Sequence, residues 1–299
     1  MPNNPWYRAS VLEAASGLAR LAGREGARNI ANFLARLSWR VTGPQLDLAR
    51  ANLRVVTGLQ GEALERLVHE NLRGFLRTMA DYAWGLQADP VEIHAALASP
   101  AGAHHMDAAA SAGKGILLVT GHLGNWELGA LHMAERLPKL TVVTLEEPAA
   151  ELTEWRAQYR KRLGVETIVI GRDPFAFVDI VKALQRGETV AMLIDRPYSE
   201  AAVQVPFCNR TAWFSNGPAT LWRLTGALVL PVFMTETVDG RYRPTALPPV
   251  PFESHADGKK ESQENTRRLA EAFEPMIRKH AAQWYQYTPI FEEALTKEA

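Results

Sequence analysis

The sequence predicts an α/β protein: a mostly parallel central sheet, helices on both of its faces, and a helical cap at the N-terminal end. Three observations carry this expectation. Short unbroken apolar runs bounded by turn residues recur from residue 116 onward, the pattern of strands buried on both faces. Stretches with helical spacing separate those runs, and strands alternating with helices form parallel sheets. Upstream, residues 1 to about 97 hold helical periodicity almost throughout.

Taken in order, helices are expected at 46–55 and 62–83, the second carrying Leu64, Leu67, Val68, Leu72, Phe75, Leu76 and Met79 at helical intervals. After Gly115 the run Ile116-Leu117-Leu118-Val119-Thr120 reads as the first buried strand. A helix at 127–136, a strand at 140–144, a helix at 152–163 and a strand at 167–170 follow. A helix at 175–186 and a strand at 189–194 continue the alternation. Ser215 suits the N-cap of a short helix with Pro218 in its first turn, and 227–233 is a further strand. The proline-dense stretch 244–251 reads as an irregular connection to a last helix. No repeat or low-complexity linker divides the chain, so 1–97 is expected as a helical, membrane-facing region of one domain with a catalytic region at 98–299.

The chain has 299 residues, 47% of them hydrophobic, long enough to bury a large core without staples. Its 33 basic residues balance 33 acidic ones, which argues against a nucleic-acid partner. One cysteine, Cys208, permits no internal disulfide and rules out a cysteine-rich zinc module. The balance hides an asymmetry: in the first 54 residues eight arginines face three acids, a net +5, leaving −5 on the rest. Ile30, Phe33, Leu34, Leu37 and Val41 form a helical stripe flanked by Arg36 and Arg40. Val11, Leu12, Ala15, Leu18 and Ala22 form a weaker one after Trp6 and Tyr7. Such stripes either pack on the core or lie on an anionic membrane surface. Charges interrupt every candidate spanning segment, and Arg20, Arg24 and Arg28 break any signal-peptide core. The expectation is a peripheral protein at the cytoplasmic face of a membrane.

In parallel sheets chemistry collects at the carboxyl ends of strands. Two segments stand there: Gly121-His122-Leu123-Gly124-Asn125-Trp126-Glu127 and Asp195-Arg196-Pro197-Tyr198. A loop histidine and a carboxylate five residues on can hydrogen-bond, the carboxylate fixing the tautomer of a general base. The bland alternative is a structural histidine with an incidental Glu127. No serine or cysteine lies nearby in sequence, although Ser215 or Cys208 could approach in space. A hydroxyl supplied by the substrate resolves the missing nucleophile and describes direct acyl transfer to an alcohol.

This His-x4-Glu block resembles that of the bacterial lipid A biosynthesis (lauroyl/myristoyl) acyltransferases, relatives of the glycerolipid acyltransferases. Arg50-Ala51-Asn52-Leu53, Trp155 with Arg160, Ala183-Leu184-Gln185-Arg186-Gly187-Glu188, Asp195, Val205-Pro206-Phe207, and Thr225-Gly226-Ala227 through Pro231-Val232 follow in the family's order. The resemblance implies transfer of a fatty acyl group from an acyl carrier protein or coenzyme A thioester to a hydroxyl of a membrane (glyco)lipid. It implies no metal and no cofactor beyond that donor, at the inner membrane. His122 would be the base and Glu127 its partner. Arg160, with Gly124 and Asn125, would bind the donor or its oxyanion, and Asp195 would support. Arg156, Arg160, Lys161 and Arg162 would suit an acidic carrier protein, or form an ordinary solvated face.

Two departures stand out. The N-terminal segment is amphipathic where family members carry a strongly apolar helix, and 283–291 reads Gln-Trp-Tyr-Gln-Tyr-Thr-Pro-Ile-Phe where a Trp-x-His-Arg-Arg type sequence is usual. The second puts lipid A itself in doubt and favours another lipid or a polyketide-like acceptor. A thioesterase or lipid hydrolase using the same pair on water, and a non-catalytic lipid-binding homologue, are the alternatives. His94, His104, His105 and His132 match no metal-ligand spacing. Trp213-Phe214 and Trp222 line an acyl groove or sit in the core.

Overall fold

The computed structural model describes residues 9–38, 43–146, 150–171, 175–196 and 202–291. Trp6, Tyr7, Arg40, Val41, Pro197 and Tyr198, singled out above, lie outside them.

Four helices come first: α1 (Ala9–Leu37), α2 (Pro44–Thr57), α3 (Gly61–Gly85) and α4 (Pro90–Ala95). Helix α1 breaks at Gly23, where φ is 67°. Helix α4 starts on a capping box, Asp89 accepting from the Glu92 N–H while the Glu92 side chain accepts from the Asp89 N–H. Helix α5 (Ala103–Ser111) leads into β1 (Ile116–Thr120), α6 (Trp126–Ala134), β2 (Leu140–Leu145), α7 (Ala150–Arg162), β3 (Glu166–Ile170), α8 (Ala176–Gln185) and β4 (Thr189–Leu193). A hairpin of β5 (Ala202–Phe207) and β6 (Arg210–Ser215) precedes α9 (Gly217–Thr225), β7 (Leu228–Glu236), β8 (Tyr242–Ala246) and α10 (Gly258–Lys279).

The fold class is the expected one. Six strands form a sheet in the order β3-β2-β4-β1-β7-β8, parallel except for β8, which runs against β7 at the edge. Strand β1 lies at the centre, and its alternate residues feed two cores. Leu117 and Val119 join Ile180 and Leu184 of α8, Leu221 of α9 and Phe273 and Ile277 of α10 on one face. Ile116 and Leu118 join Met106 of α5 and Met133 of α6 on the other.

Two local expectations give way, and one alternative is decided. The stretch from Pro244 is not wholly irregular: Pro244 sits within edge strand β8, where a residue without an N–H is tolerated. Asn216, not Ser215, occupies the N-cap of α9, because Ser215 ends β6 and accepts from the Gly217 N–H. Phe214 is fully buried against Phe207, while Trp222 meets Phe252 edge-on.

Helix α1 is turned the opposite way from a core-packed amphipathic helix. Its apolar stripe faces outward, with Leu21 at 87% and Leu37 at 65% exposure, alongside Ile30, Phe33 and Leu34. Its inner face against α3 is built from Ala19, Ala27, Ala31 and Ala35, small residues that let the helices approach. Arg24 and Arg28 enter with them. Arg24 meets buried Asp81 of α3 at 3.0 Å, Arg28 pairs with Glu236 of β7, and both donate to the Gly240 carbonyl at 2.8 Å. The Tyr242 hydroxyl completes the cluster by donating to Asp81 at 2.8 Å. Arg20 pairs with Glu92 and Arg50 with Glu65 and Asp47. Much of the N-terminal positive excess is therefore neutralised by acids elsewhere in the fold.

Among the described residues, no helix is long and apolar enough to cross a membrane.

Candidate active site

Register builds the site. Thr120 of β1 sits beside Leu193 of β4, and the Ile194 N–H donates to the Thr120 carbonyl at 3.0 Å, so the residues leaving both strands emerge together. That adjacency joins His122 to Asp195 across 73 positions. The Asp195 carboxylate accepts from His122 Nδ1 at 2.7 Å, from the His122 backbone N–H at 2.8 Å and from Trp284 Nε1 at 2.9 Å. It is completely buried.

The turn is glycine-dependent at two points. A Cβ on Gly121 would lie 2.9 Å from the Asp195 carboxylate, and one on Gly124, whose φ is +68°, would lie 1.9 Å from the Met234 carbonyl oxygen. The turn is also stapled from outside. The Gly124 N–H donates to Gln283 O at 2.9 Å and the Tyr285 N–H to His122 O at 2.8 Å, flanking an antiparallel bridge between Leu123 and Trp284. The Gln286 amide donates to the Asp195 carbonyl, and Arg196 donates to Gln286 Oε1 and the Tyr285 carbonyl. The stapling segment is itself clamped: Asn52 donates to Gln286 O and Thr288 O, and Asn71 to Ala282 O and Trp284 O.

The electrostatics suit a base. Burial pushes the His122 imidazole below its ordinary value against the opposing pull of Asp195, and Arg196 adds to the lowering. Burial would raise Asp195, but the charge and hydrogen bonds of His122 hold it below the usual carboxylate range. With Nδ1–H donating to Asp195, the lone pair of the neutral ring sits on Nε2. The Trp126 indole meets the ring edge-on with centroids 5.1 Å apart.

Glu127 is placed differently from its expected role. Its carboxylate is gripped by Arg160 in a fork, Nη2 to Oε1 at 2.6 Å and Nε to Oε2 at 3.2 Å, tying α6 to α7. The carboxylate on Nδ1 of His122 is Asp195. The physical reason is position: Glu127 lies within the first turn of α6 and extends toward α7, whereas Asp195 leaves the strand next to β1. Arg160, expected at the donor or oxyanion, is nearly buried and holds Glu127. The backbone N–H groups of Gly124 and Asn125, placed in the same role, already donate to Gln283 O and Met234 O. Asn125 caps α6 by accepting from the Leu128 N–H, while its Nδ2 is buried with no partner among the described residues. Ser215 and Cys208 belong to the hairpin; Cys208 is buried with its thiol pushed up to about 12 by that burial.

Trp284, Tyr285 and Gln286 were not anticipated as site residues. The available signal was the departure itself, since these residues stand where the family's usual basic sequence is missing. The basic face of α7 is thinner than its sequence suggests. Arg160 is buried, Arg156 lies over the Tyr82 ring, and Lys161 and Arg162 are exposed.

A histidine held by a buried aspartate at the carboxyl ends of a parallel sheet is a pair able to take and return a proton, as an enzyme of group transfer or hydrolysis requires. The chain belongs to the bacterial lipid A biosynthesis acyltransferase family, whose model matches residues 7–291, and it is an O-acyltransferase. It is similar to phosphatidylinositol mannoside acyltransferases of two strains of Mycobacterium tuberculosis, each 27% identical over 97% of this chain and 92% of the relative. Another relative of that name, from Mycolicibacterium smegmatis, is 24% identical over 88% of this chain and 84% of its own length.

Proposed function

We propose that this acyltransferase moves a fatty acyl group from a thioester, on acyl carrier protein or coenzyme A, to a hydroxyl of a membrane glycolipid other than lipid A, with His122 as base and Asp195 as its orienting partner. The observation that carries the reading is the 2.7 Å contact between His122 Nδ1 and buried Asp195. The relatives' names, which specify a mannosylated phosphoinositide, support a glycolipid acceptor.

The chemistry balances without a protein nucleophile. His122 Nε2 takes the proton of the acceptor hydroxyl as its oxygen bonds to the thioester carbonyl carbon. The tetrahedral oxyanion collapses, the C–S bond breaks, and the imidazolium returns the proton to the departing thiolate, leaving an ester and a thiol. Asp195 stabilises the imidazolium and fixes its tautomer. Asn125 Nδ2 and the N–H groups of Trp126 and Glu127, which open α6 and by position lack intrahelical acceptors, are the donors proposed for the oxyanion.

The outward stripe of α1, with exposed Arg36, supports peripheral attachment to an anionic membrane surface, proposed as the cytoplasmic leaflet of the inner membrane. The exposed cations Lys161 and Arg162 are the part of α7 offered to an acidic carrier. Incubating the protein with labelled acyl thioester and total membrane lipid tests the function. Labelled lipid ester is expected; free fatty acid released equally fast without acceptor would make the protein a thioesterase.

A further inference from the structure

A polar cavity of about 400 Å³ opens between α1, α3 and the turn after β7. Arg28, Asn29 and Asn32 line it from α1, Arg73 and Arg77 from α3, and Gln283 from the segment that staples the catalytic turn. Glu236 at the end of β7 also contributes, paired with both Arg28 and Arg77. Asn32 Oδ1 is buried there with no hydrogen-bond partner among the described residues, an acceptor awaiting a donor. Side-chain amides, guanidinium groups and carboxylates together offer donors and acceptors at close range, which suits adjacent hydroxyls. Arg73, exposed at the rim, adds a cation suited to a phosphate. An apolar chain would gain nothing in such a space.

Two placements connect the cavity to the reaction and to the lipid. Leu123 and Trp284 are paired across the bridge, with His122 opposite Tyr285 and Gly124 opposite Gln283. The Gly124 N–H donates to the Gln283 carbonyl at 2.9 Å, so a residue that lines the cavity is hydrogen-bonded to the turn that carries His122, two positions away. On α1, at 100° per residue, Asn29 and Asn32 fall on the flank between the buried alanine face and the exposed stripe of Ile30, Phe33, Leu34 and Leu37. A lipid with its acyl chains against that stripe would have its headgroup at the cavity mouth.

We infer that this cavity binds the polyhydroxylated, phosphate-bearing headgroup of the acceptor lipid and presents one of its hydroxyls toward His122. The inference rests on the acyl-transfer reading above and adds to it the subsite and the chemistry of the acceptor. Asn32→Leu and Arg73→Ala test it in the full chain. Each is expected to raise the KM for a phosphoinositide glycolipid acceptor about tenfold, while the KM for the acyl thioester stays within twofold. Calorimetry reads the cavity without turnover: glycerophosphoinositol should bind the wild type and bind the Asn32→Leu, Arg73→Ala double variant at least tenfold more weakly. Circular dichroism and thermal melts check that the variants fold.

Unchanged acceptor KM in both variants of an active enzyme would overturn the assignment. So would equal wild-type and double-variant affinity for glycerophosphoinositol, or inorganic phosphate binding as tightly as the polyol phosphate. A wild type that transfers no acyl group to lipid would instead overturn the acyl-transfer reading, and the calorimetric arm would still decide whether the cavity takes a polyol headgroup.

Discussion

Asp195, fully buried, and Glu127, largely buried, both stand beside the 121–126 turn and are both held below the ordinary carboxylate range, yet their partners differ in kind. Burial pushes each upward; the attraction of His122 overcomes it for Asp195, and that of Arg160 for Glu127. A guanidinium does not release its proton near neutrality, so the Glu127–Arg160 pair is a fixed tie between α6 and α7. An imidazole can take and return one, so the Asp195–His122 pair can work on a reacting group. Two carboxylates shifted in the same direction thus differ in what their partners allow: one pair can exchange a proton, and the other can only hold position.

The comparison breaks most sharply at His122. His122→Ala is expected to lower acyl transfer by about 10⁴-fold with circular dichroism unchanged, and near-normal turnover would end the proposed mechanism. Asp195→Asn, which loses the charge on Nδ1, is expected to cost about 10³-fold in kcat. At Glu127 the expectation changes axis. Glu127→Ala leaves the Arg160 charge buried and should cost about 3–5 kcal/mol in denaturant-measured stability, with kcat of the folded fraction reduced less than tenfold. A loss there as large as that of Asp195→Asn, without destabilisation, would give Glu127 the role the sequence suggested.

Acidity sharpens the same contrast by a smaller amount. With His122 held below 6.5, the neutral base persists to lower pH, and the acid limb of kcat/KM should have its midpoint below that value. Because Asp195 raises the imidazole, Asp195→Asn should move the limb further down in its residual activity, and Glu127→Gln should leave it in place. The smallest effect is at the membrane: Arg36→Gln should weaken binding to anionic vesicles roughly fivefold, about 1 kcal/mol. Unchanged binding would mean that the α1 stripe serves something other than a lipid surface.

The parts of this fold legible in the sequence were those written in local pattern. Ile116 to Thr120 announced a two-sided strand because five consecutive apolar or β-branched residues followed a glycine, and the helices of the α/β region kept their spacing. Strand β8 was hidden because Tyr242-Arg243-Pro244-Thr245-Ala246 carries a proline that reads as a breaker unless the strand is known to be an edge. His122 was legible from its turn; its partner was not. Sequence proximity favoured Glu127, and only the pairing of β1 with β4 brings Asp195 alongside. Helix α1 shows the same limit. Its apolar stripe is legible from periodicity and its positive charge from counting, but that Arg24 and Arg28 answer to Asp81 and Glu236, far along the chain, is not.

Residues 282–291 are made after every element they join: Asn52 and Asn71 near the start, His122 and Asp195 in the middle, and the β5–β6 hairpin, where Trp213 donates to Ile290. Until they emerge from the ribosome, the Asp195 carboxylate lacks Trp284 and the His122 turn lacks its staples. A nascent chain halted before Trp284 would carry the base and its aspartate but not the framework that sets their geometry. The geometry of the site is therefore completed late in synthesis, long after α1 and its exposed apolar stripe have been made.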